Sequence, residues 1–96
     1  MKANKALISA GGISRSDGVT DYDLNEASMS RLLMNRSEEL IVLADHSKLG
    51  ATTFAHICEL KDISTLITDS KCPRDIQNNL LNQGVKVLFP KNTVTH

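Results

Sequence analysis

Asp45, Ser47 and Lys48 place a carboxylate, a hydroxyl and an ammonium within four positions, directly after the apolar run Leu40-Ile41-Val42-Leu43-Ala44. A compact ammonium at a strand end neutralises a phosphate or a polarised carbonyl oxygen. A carboxylate beside it accepts sugar hydroxyls, or serves as a base if its pKa is raised. The same three residues also suit a plain turn, with Asp45 capping local amides and Lys48 in water. A second candidate is Gly11-Gly12-Ile13-Ser14, where two glycines let backbone amides approach an anion and Ser14 adds a donor. It lacks the spacing of a dinucleotide fingerprint or a P-loop, and a tight turn explains it better. Asp17, Gly18, Thr20 and Asp21 follow, suited to folding over a ligand or to a turn before a helix. Glu26 either faces that edge or belongs to a helix cap.

Other chemistry finds less support. His46, His56 and His96 show no metal-ligand spacing, and Cys58 near His56 does not complete a set, so neither a metal nor a cofactor is expected. Cys58 and Cys72 make no disulfide framework and read as reduced cytosolic thiols. No serine, histidine and acid order suggests nucleophilic catalysis.

These groups must be held by a small fold. The 96 residues suit one domain, and a hydrophobic share of 41% suits a packed one. Lys+Arg and Asp+Glu balance at 11 each, so this chain is a poor candidate for binding DNA unaided. No window approaches the roughly 18 apolar residues of a membrane span. The start, Met1-Lys2-Ala3-Asn4-Lys5, precedes only a short apolar stretch, so no signal peptide is expected, and a cytoplasmic location is the expectation.

A short buried strand over 6–10 is ended by Gly11-Gly12, and a polar, turn-rich loop runs to Thr20. Asp23 with Glu26 resembles a capping box opening a helix over 24–36, with Met29, Leu32 and Leu33 on one face and Leu24, Ala27 and Met34 widening it. The run 40–44 reads as a strand buried on both faces. Alternation over 54–60 suggests another, weaker strand, and 65–68 a further one ending in Asp69. Pro73 and Gly84 bound a second helix, with Ile76, Leu80 and Leu81 along one face. Val85-Lys86-Val87-Leu88-Phe89 is the last strand, and 91–96 is a polar tail. Strands alternating with helices predict an α/β fold with a mostly parallel sheet and helices on both faces. Right-handed crossovers then bring the ends after Ala10, Ala44 and Thr68 to one edge, where ligands bind in open sheets. The chain opens almost directly on a strand and reaches its first helix only afterwards. One side of the sheet then lacks a neighbour, so an incomplete domain is expected.

Taken together, Lys5-Ala6-Leu7-Ile8-Ser9-Ala10-Gly11-Gly12-Ile13-Ser14, Asp17-Gly18-Val19-Thr20, Glu26, Leu43-Ala44-Asp45-His46-Ser47-Lys48-Leu49-Gly50 and Asp62-Ile63-Ser64-Thr65-Leu66-Ile67-Thr68-Asp69 resemble the C-terminal half of the effector-sensing domain of DeoR-type transcriptional regulators. The resemblance implies a ribose-5-phosphate isomerase-like fold and a regulator, often a repressor, of sugar metabolism. Residues 1–90 would form the C-terminal portion of its sugar-phosphate sensor. The effector would be a phosphorylated sugar held by Asp45, Ser47, Lys48, Gly11, Gly12, Ser14, Gly18, Thr20 and Glu26. DNA would be bound only through an N-terminal winged helix-turn-helix domain that this chain lacks. The family's glycine–threonine–threonine phosphate loop is lacking as well. A homo-oligomer is expected, because operator-binding regulators pair two reading heads. The rival is a sugar-phosphate isomerase-like enzyme fragment with Glu26 or Asp45 as the base. Against it, Ala27 stands where the isomerase has a lysine, and Ser9-Ala10-Gly11-Gly12 replaces its acidic strand-end cluster. No enzymatic activity is therefore expected.

Overall fold

The computed structural model describes residues 3–89. In chain order the elements are β1 (Ala3–Ser9), β2 (Gly12–Ser14), β3 (Gly18–Asp21), α1 (Leu24–Asn35), β4 (Ser37–Leu43), β5 (Ala55–Cys58), β6 (Thr65–Ile67), α2 (Arg74–Asn82) and β7 (Lys86–Leu88), with single 3-10 turns at His46–Lys48 and Leu60–Asp62. The tail over 91–96 lies outside the described residues.

β1, β4, β6 and β7 form a parallel sheet in that order, the α/β architecture that alternating strands and helices predict. Every step to the next strand runs in the same direction, and right-handed crossovers then place the connecting segments on one face. Burial agrees. Ala6, Ile8, Leu40, Val42 and Leu66 join one core with Ala27 of α1 and Leu80 of α2. The opposite face carries Leu7, Ile41, Leu43, Ile67 and Leu88. Leu7 is 58% exposed, and Ile41, Leu43 and Ile67 are half-buried. The run 40–44 is therefore fully buried on one face only, because the described elements leave the second face open.

The stretch 11–20 is not the polar loop that its composition suggests. It is a hairpin, β2 against β3, which continues antiparallel onto β5. Ile13 and Val19 pair in register and are fully buried. Each such burial contributes roughly 1.5–3 kcal/mol, enough to outweigh the turn-forming residues between them. Those residues occupy only the tip, where Gly18 takes φ +70° and packs against the Cys58 carbonyl.

α1 begins as expected: Asp23 Oδ1 accepts from the amides of Asn25 (2.7 Å) and Glu26 (3.4 Å). Its inward stripe keeps only the flank of the expected face and adds Ser30. Ala27 and Ser30 are buried and Met34 is partly so, whereas Met29, Leu32 and Leu33 are exposed. Small side chains let the helix approach β4 and β5 closely, which excludes the bulkier residues from that face.

α2 buries Leu80 fully and Ile76 in part, and leaves Leu81 exposed. It stops at Gly84, whose φ is +87°. The Val85 amide donates to the Leu80 carbonyl (3.0 Å) and the Gly84 amide to that of Leu81 (3.0 Å), a Schellman closure that seals Leu80 against Val85. Gly84→Ala should therefore lower stability by about 1 kcal/mol, read as a shifted urea midpoint at unchanged slope.

Among the described residues no helix is long and apolar enough to cross a membrane. Cys58 and Cys72 are free thiols; Cys58 lies in the core, and burial pushes its pKa up to about 12.

Candidate functional site

The parallel ladder continues past the strands. Ala10 N–H donates to Leu43 O (3.1 Å), Ala44 N–H to Ile67 O (3.1 Å) and Thr68 N–H to Leu88 O (3.0 Å). Ala10, Ala44 and Thr68 thus form a row at the carboxyl edge, as expected. The Thr68 hydroxyl is buried there without a hydrogen-bond partner among the described residues.

Asp45 leaves β4 at the centre of this edge and caps the turn His46–Lys48. Its Oδ1 accepts from the Ser47 amide at 2.9 Å and from the Ser47 hydroxyl. The Ser47 hydroxyl, then its amide, hold the Asp45 carboxyl below the usual carboxylate range, with Lys48 and His46 adding smaller contributions. A carboxylate held down in this way is a hydrogen-bond acceptor and a poor general base. The Lys48 ammonium lies 6.0 Å from the centre of the Tyr22 ring, at the limit of a cation–π contact. Tyr22 also lies next to Gly11, where an added Cβ would meet the ring at 3.0 Å. So Gly11, Tyr22 and Lys48 are brought together, although Tyr22 was not singled out by sequence. The available signal was its place between Asp21 and the helix cap Asp23.

Asp69 ends the neighbouring strand. Its Oδ2 accepts from the backbone amide of His46 (3.0 Å) and lies 2.9 Å from His46 Nδ1, while its Oδ1 accepts from the Lys71 amide (2.9 Å). The ring contact from His46 comes first among the causes that pull the Asp69 carboxyl down to about 2. Sequence placed Asp69 near the edge but gave no sign of its pairing with His46.

The remaining candidates divide. Gly12 begins β2, and Thr20 braces it, donating to the Gly12 carbonyl (3.3 Å) and accepting from the Thr53 amide (3.0 Å). Ser14 lies at the hairpin tip, where its hydroxyl accepts from Asp17 N–H (3.1 Å) and meets Thr52 Oγ1 (3.0 Å). Gly18 is at the same tip. These four build the hairpin beside the turn, and the Gly50 amide joins the two by donating to the Ile13 carbonyl (2.6 Å). Glu26 is exposed in the first turn of α1 and lines a groove with Leu7, Ser9, Asp21 and Met29. Lys48 and Asp45 do not line that groove.

Residues 1–70 match the family model described as the DeoR C-terminal sensor domain. The chain belongs to this family. All the candidate residues and Asp69 fall within the matched stretch, whereas α2 and β7 follow it. Among relatives, the sensor-domain chain is 33% identical over 85 residues to the HTH-type transcriptional regulator GolR of Listeria innocua, covering 88% of this chain and 34% of that one. It is 40% identical over 86 residues to the HTH-type transcriptional repressor GlcR of Bacillus subtilis, covering 88% and 33%. It is 28% identical over 83 residues to the glycerol-3-phosphate regulon repressor of Haemophilus influenzae, covering 86% and 32%. The chain thus spans about a third of the length of the curated relatives it matches, and these relatives are transcriptional regulators.

Proposed function

We propose that this chain is the effector-binding portion of a cytoplasmic, homo-oligomeric DeoR-type regulator of sugar metabolism, and that it acts as a sensor rather than a catalyst. A phosphorylated sugar binds at the carboxyl edge of the parallel sheet. The Lys48 ammonium takes the phosphate or another anionic oxygen, and Asp45 and Ser47 take sugar hydroxyls. Gly11 and Tyr22 form the adjoining wall, with Gly12, Ser14, Gly18 and Thr20 behind it as the hairpin that holds it. Glu26, in its separate groove with Leu7 and Ser9, is left out of this contact set. The reading rests chiefly on the Asp45-capped turn that presents Lys48 beside Tyr22 at the strand ends. A carboxylate held low agrees with binding rather than proton transfer. DNA is bound through a winged helix-turn-helix domain outside this chain. The effector alters DNA affinity to the extent that it binds the regulator's two states unequally.

Calorimetric titration of the full-length regulator with glucose 6-phosphate, fructose 6-phosphate, ribose 5-phosphate and glycerol 3-phosphate tests this. At least one should bind, and Lys48→Ala should weaken it roughly ten- to a hundredfold, the worth of one charge-assisted contact. Unchanged affinity in the variant would remove Lys48 from the site. Release of a promoter fragment by the same sugar should be weakened by Asp45→Ala.

A further inference from the structure

We infer that Asp69 is a positioning residue for this site, setting the place of the Lys48 turn by gripping His46 at two atoms; the inference rests on the reading of Lys48 and Asp45 as ligand contacts. The turn His46–Lys48 is one 3-10 turn long, and its three residues contribute nothing to the core. So short a helix does not hold itself. At its start Asp45 caps it from within the same segment, which fixes its shape but not its place on the sheet edge. Leu49 in the core and the Gly50 amide on the Ile13 carbonyl hold its far end, and Asp69 supplies the anchor at its start, from the next strand. β6 is the parallel neighbour of β4, and Asp69 lies just past its end.

The grip joins one carboxylate oxygen to two atoms of His46. Asp69 Oδ2 accepts from the His46 backbone amide, which fixes where the turn begins, and it meets ring Nδ1, which fixes the side-chain rotamer. The other carboxylate oxygen is held by the Lys71 amide, so the anchor itself cannot rotate. An ionised carboxylate only accepts hydrogen bonds, so Nδ1 carries the ring proton. Lys48 is two residues beyond His46, and its amide closes the turn onto the Asp45 carbonyl at 3.0 Å. Release of His46 therefore frees the segment that aims the ammonium.

The test is a double-mutant cycle on the full-length regulator, titrated with the same four sugar phosphates. Both His46 contacts go to one carboxylate oxygen, which Asn could reproduce, so Ala is the informative replacement. Asp69→Ala should weaken binding about tenfold, equivalent to one lost charge-assisted hydrogen bond, and should change it less than about twofold in a Lys48→Ala background. His46→Ala, a substitution at an exposed side chain, removes the ring contact but keeps the backbone one and should give a smaller loss. Nitrogen-15 spectra of the His46 ring should show the Nδ1-protonated tautomer in the parent and its loss in Asp69→Ala. Asp69→Ala binding as tightly as the parent, while Lys48→Ala binds weakly, would overturn the inference and leave the site reading intact. An equal tenfold loss in both backgrounds would also overturn it, since the effect would then not pass through Lys48. No binding by the parent, or none lost in Lys48→Ala, would overturn the site reading and the inference with it.

Discussion

Leu66→Ala should destabilise the domain by about 3–5 kcal/mol in urea or guanidinium unfolding. Leu66 is fully buried in β6, with Val42 of β4 and Val87 of β7 as its register neighbours on either side. Its side chain enters the shared core to which both helices contribute, so truncation leaves a cavity that no single element can close. Domains of this size have total stabilities of about 5–15 kcal/mol, so the loss is a large part of the whole. The contrast is Leu7→Ala in β1. Leu7 lies on the open face and is 58% exposed, so its truncation should cost less than about 1 kcal/mol. Similar losses at the two positions would mean that the second face is covered in solution and that the burial asymmetry described above is wrong.

The contrast between the two leucines also marks what was legible in the sequence. Five apolar residues in a row at 40–44 announced a parallel strand, and the residues after it announced the carboxyl edge. They did not announce that Leu40 and Val42 are buried while Ile41 and Leu43 are only half covered, because that depends on which way successive crossovers turn. In α1 the large residues Met29, Leu32 and Leu33 gave the stronger periodic signal. The helix instead packs through Ala27 and Ser30, whose small size permits close approach and whose low hydrophobicity hides it. The hairpin was illegible for a related reason: only Ile13 and Val19, separated by turn residues, are its buried apolar side chains. At the site, Asp45, Ser47 and Lys48 were visible because their chemistry is local in sequence. His46 and Asp69 are 23 positions apart and meet only once β4 and β6 lie side by side; Tyr22 reaches Lys48 across a similar gap only once the hairpin packs beside the turn.

Gly12→Ala should weaken sugar-phosphate binding by about tenfold without removing any side chain that touches the ligand. A Cβ at Gly12 would lie 2.5 Å from the Ala51 carbonyl oxygen, 3.0 Å from its carbon and 3.1 Å from Thr20 Oγ1. All three belong to fixed parts of the fold: Thr20 is fully engaged in hydrogen bonds, and the Ala51 amide donates back to the Lys48 carbonyl at 3.3 Å. The methyl group must push the segment leaving the Lys48 turn, and the displaced ammonium then forfeits part of the charge-assisted contact that Lys48→Ala removes outright. Overpacking should also lower stability by about 1–3 kcal/mol. Gly11→Ala is the control. There the new methyl meets the ring of Tyr22 at 3.0 Å and 3.2 Å, and Tyr22 is exposed enough to swing away, although the Asp21 Cα at 3.2 Å adds some strain. Titration of both variants should therefore rank Gly12→Ala well below Gly11→Ala in affinity. The reverse order would mean that stacking on Tyr22, rather than the packing of the chain behind it, is what aims the Lys48 ammonium.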